Sequence, residues 1–425
     1  MSVIKELLQD IKLPKMVRVQ QHFPHDELSD IVGTLLEELR KPEIIGRVKN
    51  GMRIAIAVGS RGMAEIPRIV RVVADELKRW GAVPFIVPAM GSHGGATADG
   101  QKELLASLGI TEVSAGCPVR SSMDVVHLGV MDNGLPILMD KNAFEADGIV
   151  VINRIKAHNA FRGPNESGLV KMITIGLGKQ KGADSCHTLG FGRMAEFVVE
   201  MARIKLRQAP FLFGLGTVEN AYDRVMKMVA IPAENIIETE RALLIEAKAN
   251  MPSILLQPID VLIVDQIGKE FSGGGMDPYT TGRAPTPFIS VGPGPNKLAV
   301  LDIADQSHGN ACGIGLADFC TRSLFNKIDF DYTYANNLTS TVLTGRIPMI
   351  LDSDRLAIQG AMKTCNVLDL SRIRMVRIAN SLYVEKIHIS ESMMEEAVQH
   401  PQITVLSSPE EFAFDEMGNL TDIEK

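Results

Sequence analysis

Short apolar runs, each closed by glycine or a polar turn, alternate along most of the chain with stretches whose apolar residues recur at helical spacing. Met52–Val58, Val83–Val87 and Ile149–Ile152 read as buried strands, because apolar residues at every position suit a strand covered on both faces. Between the first two, Ile69, Val72, Val73 and Leu77 mark one face of a helix with Pro67 near its start and Gly81 at its end. The same reading gives an extended piece at Lys15–Gln20, a helix over Asp26–Arg40 and another over Asp99–Leu108. Short strands follow at Val125–Val130 and Leu135–Leu138, then a helix at Met194–Arg207 and a strand at Phe211–Leu215. Asn220–Met228 and Glu238–Ala249 are predicted helices. Beyond Met251-Pro252 the alternation resumes with strands at Ile259–Val264 and Leu298–Ile303 and helices at Ala311–Leu324 and Leu356–Cys365. Strands near Met375 and Val384 and a helix at Glu391–Gln399 complete it.

Strand–helix–strand alternation predicts parallel sheets with right-handed crossovers. The fold class is α/β: two α/β domains with mostly parallel sheets and the active site in the cleft between them. The expected division is 1–255 as an N-terminal domain, 256–401 as a C-terminal domain, and 402–425 as a tail able to return to the first.

Composition narrows the class. The chain has 425 residues, 45% hydrophobic and 22% charged, which suits a globular protein with ample core. A net charge of -7 argues against nucleic acid or an anionic membrane surface as a main partner. No run approaches the length of a membrane span, and the start MSVIKELLQDIKLPK lacks an apolar signal core. Five scattered cysteines form no CxxC pair, which suits free thiols in a reducing cytoplasm, the expected location.

Candidate chemistry collects where strands end. Gly59-Ser60-Arg61-Gly62 closes the first strand, and Gly91-Ser92-His93-Gly94-Gly95 follows the second. After Ile152 a polar loop carries Lys156 and His158, then NESG precedes an apolar segment with the lone Lys171. A glycine-punctuated turn (Gly176, Gly178, Gly182) leads to His187. Loops at the carboxyl ends of parallel strands are where such sheets build sites. The plain alternative is a Lys171 that snorkels from a half-buried strand and histidines in surface loops. GSHGG lacks nucleotide-binding spacing. In the second half, the strand at Ile259–Val264 runs into Gln266 and Lys269.

Taken together, GSRG, GSHGG, KAHNAFRG with SGLVK, His187 sixteen positions after Lys171, and the Gln266-x-x-Lys269 pair resemble the nickel-pincer lactate racemase family. The resemblance runs over essentially the whole chain. It implies a racemase or epimerase of 2-hydroxy acids that uses a nickel-pincer nucleotide, a nickel ion held by a pyridinium mononucleotide. Lys171 matches the covalent anchor, His187 the nickel ligand, and His93 and His158 the alternating acid and base. Arg61, Gln266 and Lys269 match the residues that hold substrate. Expected partners are a small 2-hydroxy acid and the proteins that synthesise the cofactor, with homo-oligomerisation allowed.

The chemistry accounts for such a set. The Cα–H beside an ionised carboxylate is a poor acid, whereas hydride loss coupled to loss of the hydroxyl proton needs only a base near neutrality. Return of hydride to the other face needs a second acid opposite the first. Where family members can carry an aspartate three residues before the arginine, this chain has Val58, and no basic residue follows His93 directly. These departures point to a hydroxy acid other than lactate. Arg162, Asn165 and Glu166 are polar groups suited to a polyhydroxy or dicarboxylic substrate, or to solvent. Two other readings are a zinc-type hydrolase or lyase using His93, His158 and His187, and a non-catalytic binder of small organic anions.

Overall fold

A computed structural model describes residues 3–60, 62–188, 190–338 and 341–422. The chain divides into two compact units, Pro24–Met251 and Met1–Phe23 with Pro252–Lys425.

In the unit Pro24–Met251 a five-stranded sheet has the spatial order Val83–Pro88, Arg53–Val58, Gly148–Arg154, Phe211–Glu219, Val225–Pro232. The first four strands are parallel and the last is antiparallel. Alternate residues of each strand serve opposite layers. Ile54, Ile56 and Val58 face a cluster with Leu35, Leu39, Ile69 and Val73 from the helices Ile31–Leu39 and Ile66–Arg79. Ala55 and Ala57 face a second cluster with Phe197, Val198 and Ile236 from Met194–Gln208 and Ile236–Ala249. Burial on both faces is why these strands carry continuous apolar runs. The chain passes from Arg53–Val58 outward to one neighbour and later returns to the other side. The loops after these three parallel strands therefore emerge on one edge, around a switch point.

The second unit holds an eight-stranded sheet in the order Met349–Leu351, Phe319–Thr321, Lys297–Ile303, Val261–Ile267, Met375–Ile378, Lys386–Ser390, Met16–Gln21, Ile403–Val405. The first five are parallel and the last three are joined antiparallel. This corrects the expected division at both ends. Residues 1–23 belong to this unit, because Met16–Gln20 pair in register with Ser390–Lys386 and Val17 and Val19 are fully buried. Gln21 adds a buried amide that donates to Val384 O at 2.6 Å. The tail does return to N-terminal residues, pairing Ile403–Val405 with Val19–Gln21, but those residues lie in the unit the tail already occupies.

Two predicted helices are not formed. At Asn220–Met228 the Asn220 side chain accepts from Tyr222 N and Arg224 N at 2.9 and 3.1 Å. Asp223 takes a left-handed φ of 54°, so the chain turns tightly into the strand Val225–Pro232. Ala311–Leu324 breaks at Gly313 and Gly315, where a Cβ on Gly315 would lie 2.0 Å from Leu343 O. The segment becomes a short turn, the strand Phe319–Thr321 and the helix Arg322–Lys327.

Arg377 clamps the second sheet. Its guanidinium donates to Asp265 from Nε at 2.8 Å and from Nη2 at 2.9 Å, and to Asp422 at 2.9 Å. Both Arg377 and Asp265 are buried. Removing the arginine strands a buried carboxylate, so Arg377→Ala should destabilise this unit by about 3–5 kcal/mol. Denaturant unfolding would show the shift, and a loss below about 1 kcal/mol would mean that water replaces the clamp.

Candidate functional site

Each of the three parallel strands contributes a loop to the edge described above. Gly59 and Ser60 follow Val58, and the Ser60 hydroxyl is hydrogen-bonded to Nδ1 of the exposed His93. The GSHGG loop needs its glycines: Gly94 has φ +66°, and a Cβ there would sit 2.6 Å from the Gly100 carbonyl carbon. Gln101 holds the loop from beneath, donating to Gly91 O and His93 O at 2.9 and 3.2 Å.

The third loop carries His158. Lys156 pairs with Ser167 across the loop, and Glu166, fully buried, gathers its backbone. Glu166 accepts from His158 N at 2.7 Å and Gly163 N at 3.2 Å and pairs with Lys248 at 2.6 Å. The His158 ring lies tilted against Phe161, with centroids 4.3 Å apart. Its Nδ1 receives the Ala160 N–H at 3.0 Å, and its Nε2 is 2.8 Å from Lys171 Nζ. Burial holds the imidazole well below its ordinary value, with Lys171 and His187 adding to the effect.

Lys171 lies on helical backbone, unlike the half-buried strand of the plain reading. It ends the short helix Leu169–Lys171 and is followed by a π-helical stretch, Met172–Gly176. Glycine punctuation then gives way to the helix Lys179–His187, with Gly182 inside it. His187 ends that helix and meets Phe191 edge-on at 5.6 Å, and Phe191 is also 6.3 Å from His158. Burial, then Lys171, lowers the His187 imidazole to about 4. Lys171, His158 and His187 are therefore brought together, while His93 is anchored to Ser60 on a neighbouring loop.

Residues 3–196, which span these loops, match the family described as the lactate racemase N-terminal domain. The likeness is to that domain, over this stretch of the chain. The lactate racemase apoprotein from Thermoanaerobacterium thermosaccharolyticum is a similar solved structure. It matches at 14% identity and a TM-score of 0.48, over 80% of this chain and 87% of that chain. No curated protein sequence matches.

The remaining assignments divide. Arg61 lies outside the described residues. In the other unit, Gln266 stands at the carboxyl end of Val261–Ile267, with its N–H on Ala379 O at 2.9 Å. Lys269 follows in the next loop, where its N–H meets Ser307 Oγ at 2.9 Å and its amine bonds the Asn336 side chain. His93, His158 and His187 do not form a metal-ligand group, and none of three or more His, Cys, Asp or Glu occurs among the described residues. The zinc-type reading therefore loses its triad. Asn165 and Glu166, read as substrate or solvent groups, are fully buried: Glu166 holds the loop's backbone and pairs with Lys248, and Asn165 bonds Ile237 O, Glu240 and Arg241 of the helix Ile236–Ala249.

Several further groups shape the site, and of these Glu240 and Lys205 were not singled out in the sequence. Glu240 accepts Val170 N at 2.9 Å and Asn165 Nδ2 at 3.1 Å. Lys205 donates to Ile173 O and Thr174 O at 3.1 and 2.7 Å, and burial lowers its amine to about 7. Lys179 donates to Pro88 O and Gln101 Oε1 and pairs with Asp140 at 3.1 Å. A usable signal existed for two of them: Glu240 and Lys205 each sit on the apolar stripe of an amphipathic helix.

Burial pushes the Glu240 carboxyl from an ordinary 4.5 up to about 7. Between those values the folded state keeps a proton that the unfolded chain has released, so stability falls as pH rises through that window and levels off above it. Glu240→Gln should flatten the fall. Unfolding free energies of both proteins at about pH 5 and about pH 8 test this, and equal slopes would assign the titration elsewhere.

Proposed function

We propose that this protein is an isomerase of the lactate racemase family that racemises or epimerises a 2-hydroxy acid by proton-coupled hydride transfer with a nickel-pincer nucleotide. The observation that supports it best is the 2.8 Å approach of Lys171 Nζ to His158 Nε2, beside His187. The donor set fits such a group. Lys171 offers an amine that is part-open to solvent, and His187 is uncharged near neutrality and so keeps a lone pair for a metal. A metal already held by a nucleotide needs few protein ligands, which suits a site with a single imidazole in that role. When bound, the group supplies a reversible hydride acceptor.

The chain's own residues supply the rest. Lys171 anchors the cofactor and His187 ligates its nickel. His93 and His158 exchange the substrate hydroxyl proton from opposite faces. Arg61, Gln266 and Lys269 hold the carboxylate, where fixed cations restrain the ketone while it turns. Lys179, an alternative anchor by sequence position, is a poor one, because its amine is buried and committed to Asp140, Gln101 and Pro88. Buried free thiols at all five cysteines support a reducing, cytoplasmic setting, and no described helix is long and apolar enough to cross a membrane.

Protein prepared with the cofactor-synthesis proteins should invert at least one member of a panel of chiral 2-hydroxy acids. Its intact mass should carry an adduct that Lys171→Ala lacks; an adduct that persists in the variant would move the anchor. On the same preparations, His93→Ala and His158→Ala should each lose on the order of a hundredfold in rate while keeping nickel. His187→Ala should lose nickel. Nickel loss from His93→Ala with retention in His187→Ala would exchange the roles.

A further inference from the structure

The loop after Val58 ends in a backbone conformation that its last residue does not favour. Glu65 takes φ 60° and ψ 16°, the left-handed region where a side chain crowds the backbone and glycine is the usual occupant. It also stands directly before the helix Ile66–Arg79, where an extended residue with a short capping side chain is preferred. Its own carboxylate makes no cap bond. Its ion pair with Arg68, at 3.6 Å, joins two exposed groups and contributes little. Strain of this kind persists only where neighbouring structure imposes it.

Glu219 is such a neighbour. It closes the strand Phe211–Glu219 with its side chain only 5% exposed, and its Oε1 accepts from Ala64 N at 2.8 Å. Its Oε2 accepts from Arg154, the last residue of Gly148–Arg154. That strand lies between Arg53–Val58 and Phe211–Glu219. The loop leaving Val58 therefore crosses one strand end to reach a carboxylate on the next, two sheet spacings or about 10 Å away. Gly59 already approaches the intervening strand: a Cβ there would lie 3.1 Å from Met172 Cε and 3.5 Å from Asn153 Oδ1. Met63 is buried in the apolar cluster beneath, but apolar contact is non-directional. The Glu219 bond sets the direction of the backbone one residue before Glu65. At the other end of the loop, the Ser60 hydroxyl is bonded to Nδ1 of His93.

We propose that Glu219 is a positioning residue: by fixing the loop 59–65 across three strand ends, it holds Ser60 against Nδ1 of His93 and so sets the direction of that imidazole.

The way the carboxylate is shared supports this. A carboxylate serving only an arginine commonly gives it both oxygens. Here Oε2 is turned to Arg154 and Oε1 to a backbone amide of another loop. Ser60 in turn suits an imidazole that must both take and give a proton, because a hydroxyl can donate to Nδ1 or accept from it. That partner is only as well placed as the loop that carries it. The consequence for proton exchange rests on the racemase reading; the hold of Glu219 on the loop does not.

The test uses the full-length chain with and without cofactor. In the apo chain, Glu219→Ala should speed amide hydrogen exchange of the peptide covering 59–66 by at least about tenfold. The His93 ring signals, identified in NMR spectra by their loss in His93→Gln, should move to the positions they take in Ser60→Ala. Arg154 keeps a carboxylate within reach in the variant, since Asp223 Oδ1 lies 4.0 Å away. Glu219→Gln can still accept from Ala64 N but presents an amide N–H to the guanidinium, so it should change both readouts less and in the same direction. Adding Glu65→Gly to Glu219→Ala should slow the exchange again, because glycine holds a left-handed φ without strain. In the loaded enzyme, Glu219→Ala should lower kcat by about tenfold with KM held within about twofold. A purely structural role would lower the unfolding midpoint yet leave the His93 signals in place, and that result overturns the proposal. An unchanged kcat in a Glu219→Ala enzyme whose loop exchanges faster overturns it too. If the wild-type chain inverts no 2-hydroxy acid, the racemase reading fails, while displaced His93 signals in Glu219→Ala would still support the hold on the loop.

Discussion

Glu240 at one end and Lys205 at the other hold the segment Leu169–Gly176 against the sheet, and the site unit depends on that pair. A helix leaves amides unsatisfied at its start and carbonyls at its end. Glu240 takes the Val170 amide, and Lys205 takes the Ile173 and Thr174 carbonyls. The acidic side chain thus lies at the amide end and the basic one at the carbonyl end. Both side chains are buried, and burial moves each toward its neutral form. What remains is two hydrogen-bonding clamps on a stretch of unusual geometry. π-helical turns are rare and cluster at functional positions, and this one begins at the residue after Lys171.

A second buried network ties the remaining loops to that segment. Lys179 opens the helix that ends in His187, and its amine reaches Pro88 O, Gln101 and Asp140. Gln101 passes the connection to Gly91 O and His93 O. Burial raises the Asp140 carboxyl and lowers the Lys179 amine, so desolvation outweighs their mutual attraction. Such a pair is weak evidence for stability. Its evident effect is on register, since the loop of His93 and the helix of His187 share one buried amine.

In the other unit, strand-end loops are joined in a comparable way. Ser307, after Lys297–Ile303, accepts from Lys269 N and donates to Glu270 Oε2 at 2.5 Å. Asn336 donates to Tyr332 O at 2.8 Å, which fixes its amide so that the oxygen meets the Lys269 amine. Lys269 is thus held by a helix whose sequence gives no hint of it.

Much of the fold was legible because parallel strands buried on both faces leave uninterrupted apolar runs, and amphipathic helices leave spaced ones. Val58, Val87 and Ile152 therefore marked strand ends, and Ser60, His93 and His158 followed as loop residues. The helices that failed, at Asn220 and Gly313, did so where side-chain-to-backbone bonding or close backbone approach overrode apolar spacing. Long-range choices were beyond local pattern altogether. Residues 16–21 chose Lys386–Ser390 as partner because edge pairing is decided by which strand lies open, not by composition. The chain itself determined that Lys171, His158 and His187 exist at strand-end spacing. Only the tertiary structure decided that the Ala160 N–H would meet Nδ1 and Nε2 would face Lys171, because a ring's orientation is set by the groups a fold brings within 3.0 Å.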